Sequence, residues 1–450
     1  MHKLAAAVLA GALGVIAAPS AYTAAPGTVS EIPVGASVQI YLFGVTGGPD
    51  GNLWFADQGC MGLGRCAIGR ISADGRLTTF VHGLNAGSIP FAVVTGADGN
   101  LWFTDNGRRP AIGRITPGGR ITEFSRGLRR GSQPFELTVG ADGAVWFTVQ
   151  GRRPAIGRIT RRGAITEYRH GLPRGSVPFG IAAATDGQVW FTDRGCSASG
   201  RCAVGQIAAS GRITEVRDGL RRGGQPLGIA AGADGEMWFA DSAGAVGQVS
   251  PAGAIRERIR GLRRGSSPVA ITAGPDGNMW FTDEGQSAAV GRITPRGAIR
   301  EFTAGIPAGS EPAVITAAAD GRMWFTDEGS AAAFGSVSTG APGAVRRLPR
   351  IAGPLRPGAT AACRPGRFAT WAGLDPSATA SPFDGFDWVR NGRPVRGHAR
   401  PTFTPASGDA GAQLACRETV TYPPPLNVTV SVASPAGASL APPALRRPSL

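Results

Sequence analysis

The chain has 450 residues and a formal charge of +15, yet of its 46 lysines and arginines only Lys3 is a lysine. Such exclusive arginine usage reflects coding bias more than a nucleic-acid surface, and no basic helix or interleaved aromatic face accompanies it, so nucleic acid is not an expected partner. The 69 glycines and 35 prolines recur mostly at fixed positions, which excludes a disordered chain and leaves one large closed β architecture plus a small domain.

Residues 1–25 open with Met1-His2-Lys3, continue through an apolar run from Leu4 to Ala18 and end in small residues to Ala25, the pattern of a secretory signal. The run is too short to cross a bilayer and nothing later replaces it. The expected location is therefore secreted or extracytoplasmic, without a membrane span. Six cysteines agree with an oxidising compartment.

From Gly27 to Pro349 one unit recurs, and its clearest copy runs from Gly274 to Phe302, GPDGNMWFTDEGQSAAVGRITPRGAIREF. Asp276-Gly277 suits a tight turn, Asn278 to Asp283 a half-buried strand, Val290 to Thr294 a second and Ala298 to Phe302 a third. A further strand precedes them from Pro268 to Gly274. With the strands lettered A to D in chain order, seven copies are marked by Trp54, Trp102, Trp146, Trp190, Trp238, Trp280 and Trp324, each four residues after an aspartate. One unit cannot bury its apolar faces and must stack on its copies, so the expected fold class is all-β, a seven-bladed β-propeller over 27–349. Gly27 to Ile32 repeats the strand D pattern ahead of the first blade and is expected to complete the last one; Gly343 to Leu348 is the rival for that place. A closed ring has few exposed edges, and a monomer is expected.

Blades 1 and 4 share an insertion between strands B and C, in which Cys60 with Cys66 and Cys196 with Cys202 are expected to form local disulfides. A zinc site would need all four together, yet these blades stand on opposite sides of the ring. After Pro349 the pattern changes. Cys363, Trp371, Trp388 with Arg390-Asn391-Gly392, Asp409-Ala410-Gly411 and Cys416 together resemble a bacterial immunoglobulin-like domain over 351–434, which implies a small β-sandwich with a Cys363 to Cys416 disulfide across its sheets. Residues 435–450, rich in Pro and Ala, read as a disordered tail.

The start of strand A, the end of strand B and the connections from D to A meet on one face, around the mouth of the central channel, which is the expected ligand site. Strand B ends in an acid in six blades, Asp57, Asp105, Asp193, Asp241, Asp283 and Asp327, with Val149 the exception; Glu284 and Glu328 follow two of them. Two roles are open to these aspartates: capping the next loop by accepting backbone N–H bonds, or lining the mouth for a ligand. Arg130, Arg222 and Arg264 on the D to A connections have the donors to hold a carboxylate or phosphate. The strand D glutamates Glu123, Glu167, Glu215, Glu257 and Glu301 read as edge protection.

Across the propeller, Gly-Pro-Asp-Gly-Asn-Met-Trp-Phe-Thr-Asp, Gly-Arg-Ile-Thr-Pro and Ile-Thr-Glu-Phe resemble the virginiamycin B lyase (streptogramin lyase) family. The resemblance implies a carbon-oxygen lyase that opens a cyclic depsipeptide antibiotic at its ester by elimination, using Mg2+. It also implies histidines at the second residue of strand A in neighbouring blades and a glutamate at the end of strand B. On this chain the histidine positions are Leu227 and Val269, and the glutamate position is Asp283. The second residues of strand A are Phe43, Phe91, Phe135, Phe179, Leu227, Val269 and Ala313, while His2, His82, His170 and His398 all lie elsewhere. A base would then have to be a carboxylate such as Asp283, Glu284 or Glu136. The expected function is an exported binding or surface-interaction protein that takes a small molecule, peptide or anionic glycan at the mouth. The alternative is a streptogramin-type lyase with an altered site, Asp283 as catalytic residue and Mg2+ as cofactor.

Overall fold

The computed structural model describes residues 24–34, 42–59, 66–72, 75–195, 202–208, 210–329, 332–372, 374, 376, 385–391, 393–395, 400–409, 411–422, 426 and 428–434. Most of the expected signal segment, Cys60, Cys196, the Gly392 and Ala410 of the immunoglobulin-like motifs and the tail at 435–450 lie outside the described residues.

Strand B shows why the ring forms. In blade 2, Pro90–Thr95, Leu101–Asp105, Ala111–Ile115 and Ile121–Phe124 make one antiparallel sheet in chain order. Every residue of Leu101–Asp105 is buried, because both faces of the sheet meet a neighbouring blade. The Trp102 indole packs in the apolar core and donates to Asp98 in the preceding turn at 3.0 Å. Phe103 lies beneath Gly113 of strand C, where a methyl group would stand 2.0 Å from its ring, so Ile-Gly-Arg-Ile needs its glycine. Thr104 accepts from the Ala92 N–H at 3.1 Å and donates to the Phe135 carbonyl of the next blade at 2.6 Å. Thr148, Thr192 and Thr282 repeat this latch to Phe179, Leu227 and Ala313.

Seven four-stranded sheets stand in sequence, and their inner strands touch all the way round, Leu42–Gly47 of blade 1 meeting Pro312–Ala317 of blade 7. The last sheet is completed by the N-terminal strand Val29–Pro33, antiparallel to Ala333–Ser338, with the Ser30 and Ser336 hydroxyls 3.1 Å apart. Val345–Arg347, from the rival segment, pairs instead with Arg367–Phe368. The register explains the choice: Glu31 lies opposite Gly335 as Glu123 lies opposite Gly113, so the N-terminal strand brings the glutamate that other blades carry.

Beyond the ring, Arg350–Ala352, Ala361–Arg364 and Thr402–Phe403 form one small sheet, and Arg393–Pro394, Gly385–Arg390, Leu414–Thr421 and Thr429–Ala433 another. Cys363 and Cys416 bridge the two sheets with Cα atoms 5.8 Å apart, beside the fully buried Trp388. Cys66 and Cys202 are also disulfide-bonded. The second unit is docked on the ring rather than tethered to it. Trp371 stacks on Tyr422 at 4.4 Å and donates to the Pro342 carbonyl at 2.9 Å, and the Ala372 N–H reaches the Pro275 carbonyl in the A to B turn of blade 6 at 3.0 Å. These rings share one apolar cluster with Trp280 and Phe325 of blades 6 and 7. Among the described residues no helix is long and apolar enough to cross a membrane.

If the N-terminal strand closes the ring in this register, Ser30→Cys combined with Ser336→Cys forms a disulfide that joins the two peptides on non-reducing mass spectrometry and raises the thermal midpoint. Unlinked peptides under oxidising conditions would contradict the closure.

Candidate functional site

The aspartates at the ends of the B strands take the loop-capping role. Asp105 Oδ1 accepts from the Ile89 N–H at 2.7 Å and the Gly107 N–H at 2.8 Å, holding the incoming D to A connection and the outgoing B to C loop at once. Asp193, Asp241, Asp283 and Asp327 repeat both bonds, and Asp57 accepts from the Gly59 N–H at 2.8 Å. All six are buried. A ring of aspartates open to a ligand, one of the two roles considered for them, is not what the geometry presents.

The strand D glutamates are not edge guards either. Glu123 turns in under the D to A connection and accepts from the Asn85 N–H at 2.9 Å and the Ser88 hydroxyl at 3.2 Å, while facing the Asp105 carboxyl. Glu215 faces Asp193, Glu257 faces Asp241, Glu301 faces Asp283, and Glu31 faces Asp327 across the closure. Burial first, and then the neighbouring aspartate, push Glu31, Glu123, Glu257 and Glu301 up to about 7 and Glu215 up to about 8. Two carboxyls this close share one proton. In blade 3, where Val149 replaces the aspartate, Glu167 keeps the serine bond, from the Ser132 hydroxyl at 2.6 Å, and pairs with Arg129 at 3.7 Å.

What faces the mouth is the second residue of strand A and the residue after each aspartate. Phe43, Phe91, Phe135 and Phe179 make a continuous half-buried arc with successive ring centroids 5.0, 4.1 and 4.8 Å apart. Leu227, Val269 and Ala313 hold the same strand position in blades 5, 6 and 7, Leu227 and Ala313 buried and Val269 partly so. The Arg194 guanidinium lies 4.7 Å over the Phe179 ring. In blades 1 and 3 the residue after strand B's end position is a glutamine that donates across the blade boundary, Gln58 to Pro90 and Gln150 to Pro178. Across the mouth, Glu284 and Glu328 neighbour Glu311. Burial first, then these acids, push Glu328 up to about 8 and raise Glu284. Glu136, next to Phe135, is pushed up to about 7 by burial. Arg130, Arg222 and Arg264 are exposed on the outer connections. The phenylalanine arc was written in four consecutive blades, but single strands do not show that their rings meet.

The position expected to carry the catalytic carboxylate is closed. Asp283 is 1% exposed; its Oδ1 is held at 2.7 Å by both the Ser267 and the Gly285 N–H, and its other oxygen is buried against Glu301. Mg2+ needs carboxylate oxygens free to bind it, and among the described residues no three His, Cys, Asp or Glu side chains converge as metal ligands. These residues do not fit Mg2+ there.

The repeat, closed ring and strand signatures match the model of the virginiamycin B lyase family over residues 27–259 and 261–362. The chain belongs to the virginiamycin B lyase family. Among solved structures it is similar to virginiamycin B lyase from Staphylococcus aureus. A selenomethionine form is 30% identical with a TM-score of 0.60, and a catalytically inactive histidine-to-alanine variant with quinupristin is 31% identical with a TM-score of 0.59; each match covers 69% of this chain and 99% of the other. The extracellular domain of a hybrid two-component system from B. thetaiotaomicron shares the fold alone, at 12% identity, a TM-score of 0.53, and coverage of 90% of this chain and 57% of that one. No curated protein matches the chain.

The acid pairs give stability a definite pH dependence. The glutamates titrate near 7 to 8 when folded but near 4.5 as isolated groups, so the folded state keeps protons that the unfolded chain has released. Their stabilisation is complete below about 4.5 and is lost as pH rises through about 7 to 8. The thermal midpoint should fall between about pH 5 and about pH 8, and Glu215→Gln, whose amide donates permanently to Asp193, should make that fall shallower. A midpoint that rises over this range would contradict the pairing.

Proposed function

We propose that this protein is an exported binding propeller that takes an amphipathic small molecule or peptide at the channel mouth. The ligand's apolar side lies over the phenylalanine arc, and its polar groups face the carboxylates of blades 6 and 7. The arc is the observation that carries this reading: rings in mutual contact and partly exposed form a preformed apolar wall at the strand position from which the family's histidines are expected to project. Leu227 and Val269 hold the positions where the histidines would stand. Arg194, and Arg130, Arg222 and Arg264 further out on the rim, suit an anionic group such as that of a glycan. The disulfides support an extracytoplasmic location, and residues 351–434 serve as an immunoglobulin-like unit fixed beneath blades 6 and 7.

One observation favours the lyase alternative. Glu328 and Glu136 lie above the usual carboxylate range, where a carboxyl exchanges protons near neutral pH.

Incubation of the mature protein with quinupristin and Mg2+, followed by mass spectrometry, separates the two readings. The binding reading expects intact antibiotic and one thermal midpoint with or without Mg2+. Ring-opening that requires Mg2+ and disappears in Glu328→Gln would establish the lyase instead. Phe135→Ala should weaken calorimetric binding of quinupristin by roughly tenfold, the worth of one aromatic contact.

A further inference from the structure

Blade 4 departs from a pattern that four other blades keep. In blades 1, 2, 3 and 6 an aromatic residue of strand D stacks on the strand B tryptophan: Trp54 with Phe80, Trp102 with Phe124, Trp146 with Tyr168 and Trp280 with Phe302. Ring centroids lie 5.3 to 5.8 Å apart, with planes 16° to 24° from parallel. Arg70, Arg114, Arg158 and Arg292 of strand C lie 5.4 to 5.8 Å from these indoles. The C to D turn of the following blade closes the space; a methyl group on Gly163 would stand 2.3 Å from Phe124. In blade 4 both covering groups are replaced, the aromatic by Val216 and the arginine by Gln206. A cavity of about 130 Å3 opens there, lined by Trp190, Val204, Gln206, Thr214, Val216 and the turn from Pro251 to Gly253 of blade 5.

We propose that this slot binds a single phenyl or phenolic ring of a small molecule, at a site separate from the channel mouth. Blades 1, 2, 3 and 6 show what the space accepts, since each of these four fills it with its own ring, and Tyr168 places a phenol over Trp146 in the equivalent position; blade 5 has Arg258 there and blade 7 Ile32. The slot is open to solvent on one side, and its volume is of the order of a cavity that takes up benzene. Trp190 and Val204 beneath it are 2% and 0% exposed, so an entering ring moves the Gln206 and Val216 side chains aside to reach the indole and leaves water as it does so. Gln206 and the exposed Thr214 offer a phenol hydroxyl both donors and an acceptor at the rim. The lining includes no residue of the phenylalanine arc.

The test is a titration of the full-length mature protein with para-fluorophenol, followed by fluorine NMR. A saturable shift is expected in the wild type and in Phe135→Ala. Binding should weaken at least tenfold in Val216→Phe, which installs the ring of blades 1, 2, 3 and 6, and also in Gln206→Arg, which restores the covering arginine of those blades. Val216→Phe should melt no lower than the wild type, and if it fails to fold, Gln206→Arg decides. No saturable shift in the wild type, or full binding in both folded variants, overturns the proposal. Loss of binding in Phe135→Ala would place the probe at the mouth and overturns it as well.

Discussion

Every blade is a sheet with two apolar faces, and no sheet of this kind is stable until both are covered. Closing a ring meets the requirement for all seven at once, and most of the sequence follows from it. The phenylalanine of strand B is fully buried in every blade and the tryptophan in five of the seven, each worth about 2 to 3 kcal/mol in apolar transfer. That gain exists only if neighbouring blades approach closely, which the glycine of strand C permits by leaving room for the phenylalanine. In blades 2, 3, 4 and 6 the threonine latch then fixes the blade to the next through the carbonyl of the second residue of strand A, so the same closure that stabilises the ring also shapes the mouth.

The final aspartate of the motif answers a different need. Each chain crossing from an outer strand to the next inner strand leaves backbone N–H groups over the top of a blade, and these groups must find acceptors. Asp105 and Glu123 supply them together, at the cost of placing two carboxyls side by side, and the pair tolerates this by keeping a proton. Position 283 is thereby drawn into the same structural role as its five counterparts. Around the mouth, four blades contribute phenylalanine rings in mutual contact.

The architecture was legible because its grammar is local. A tryptophan four residues after an aspartate, the twelve-residue step from proline to tryptophan and the glycine turns all fall within one blade, and copies confirm one another. The closing strand was legible for the same reason, through the strand D pattern at Gly27 to Ile32. The acid pairs were not, since Glu123 and Asp105 lie on strands separated by a third and become neighbours only when the side chains lean over it. The docking of Trp371 and Tyr422 on blades 6 and 7 was hidden too, because it joins segments with no shared pattern. The slot in blade 4 was visible as a valine and a glutamine out of place, but its meaning needed the stacked rings of blades 1, 2, 3 and 6.

Asp283 is held as one of six equivalent clamps, and the sharpest check is an alanine scan of Asp57, Asp105, Asp193, Asp241, Asp283 and Asp327 by thermal melting, with and without Mg2+. Asp283→Ala should lower the midpoint as much as the other replacements do, and Mg2+ should shift none of them. A variant at 283 that keeps full stability yet loses a Mg2+-dependent shift seen in the wild type would contradict the clamp role.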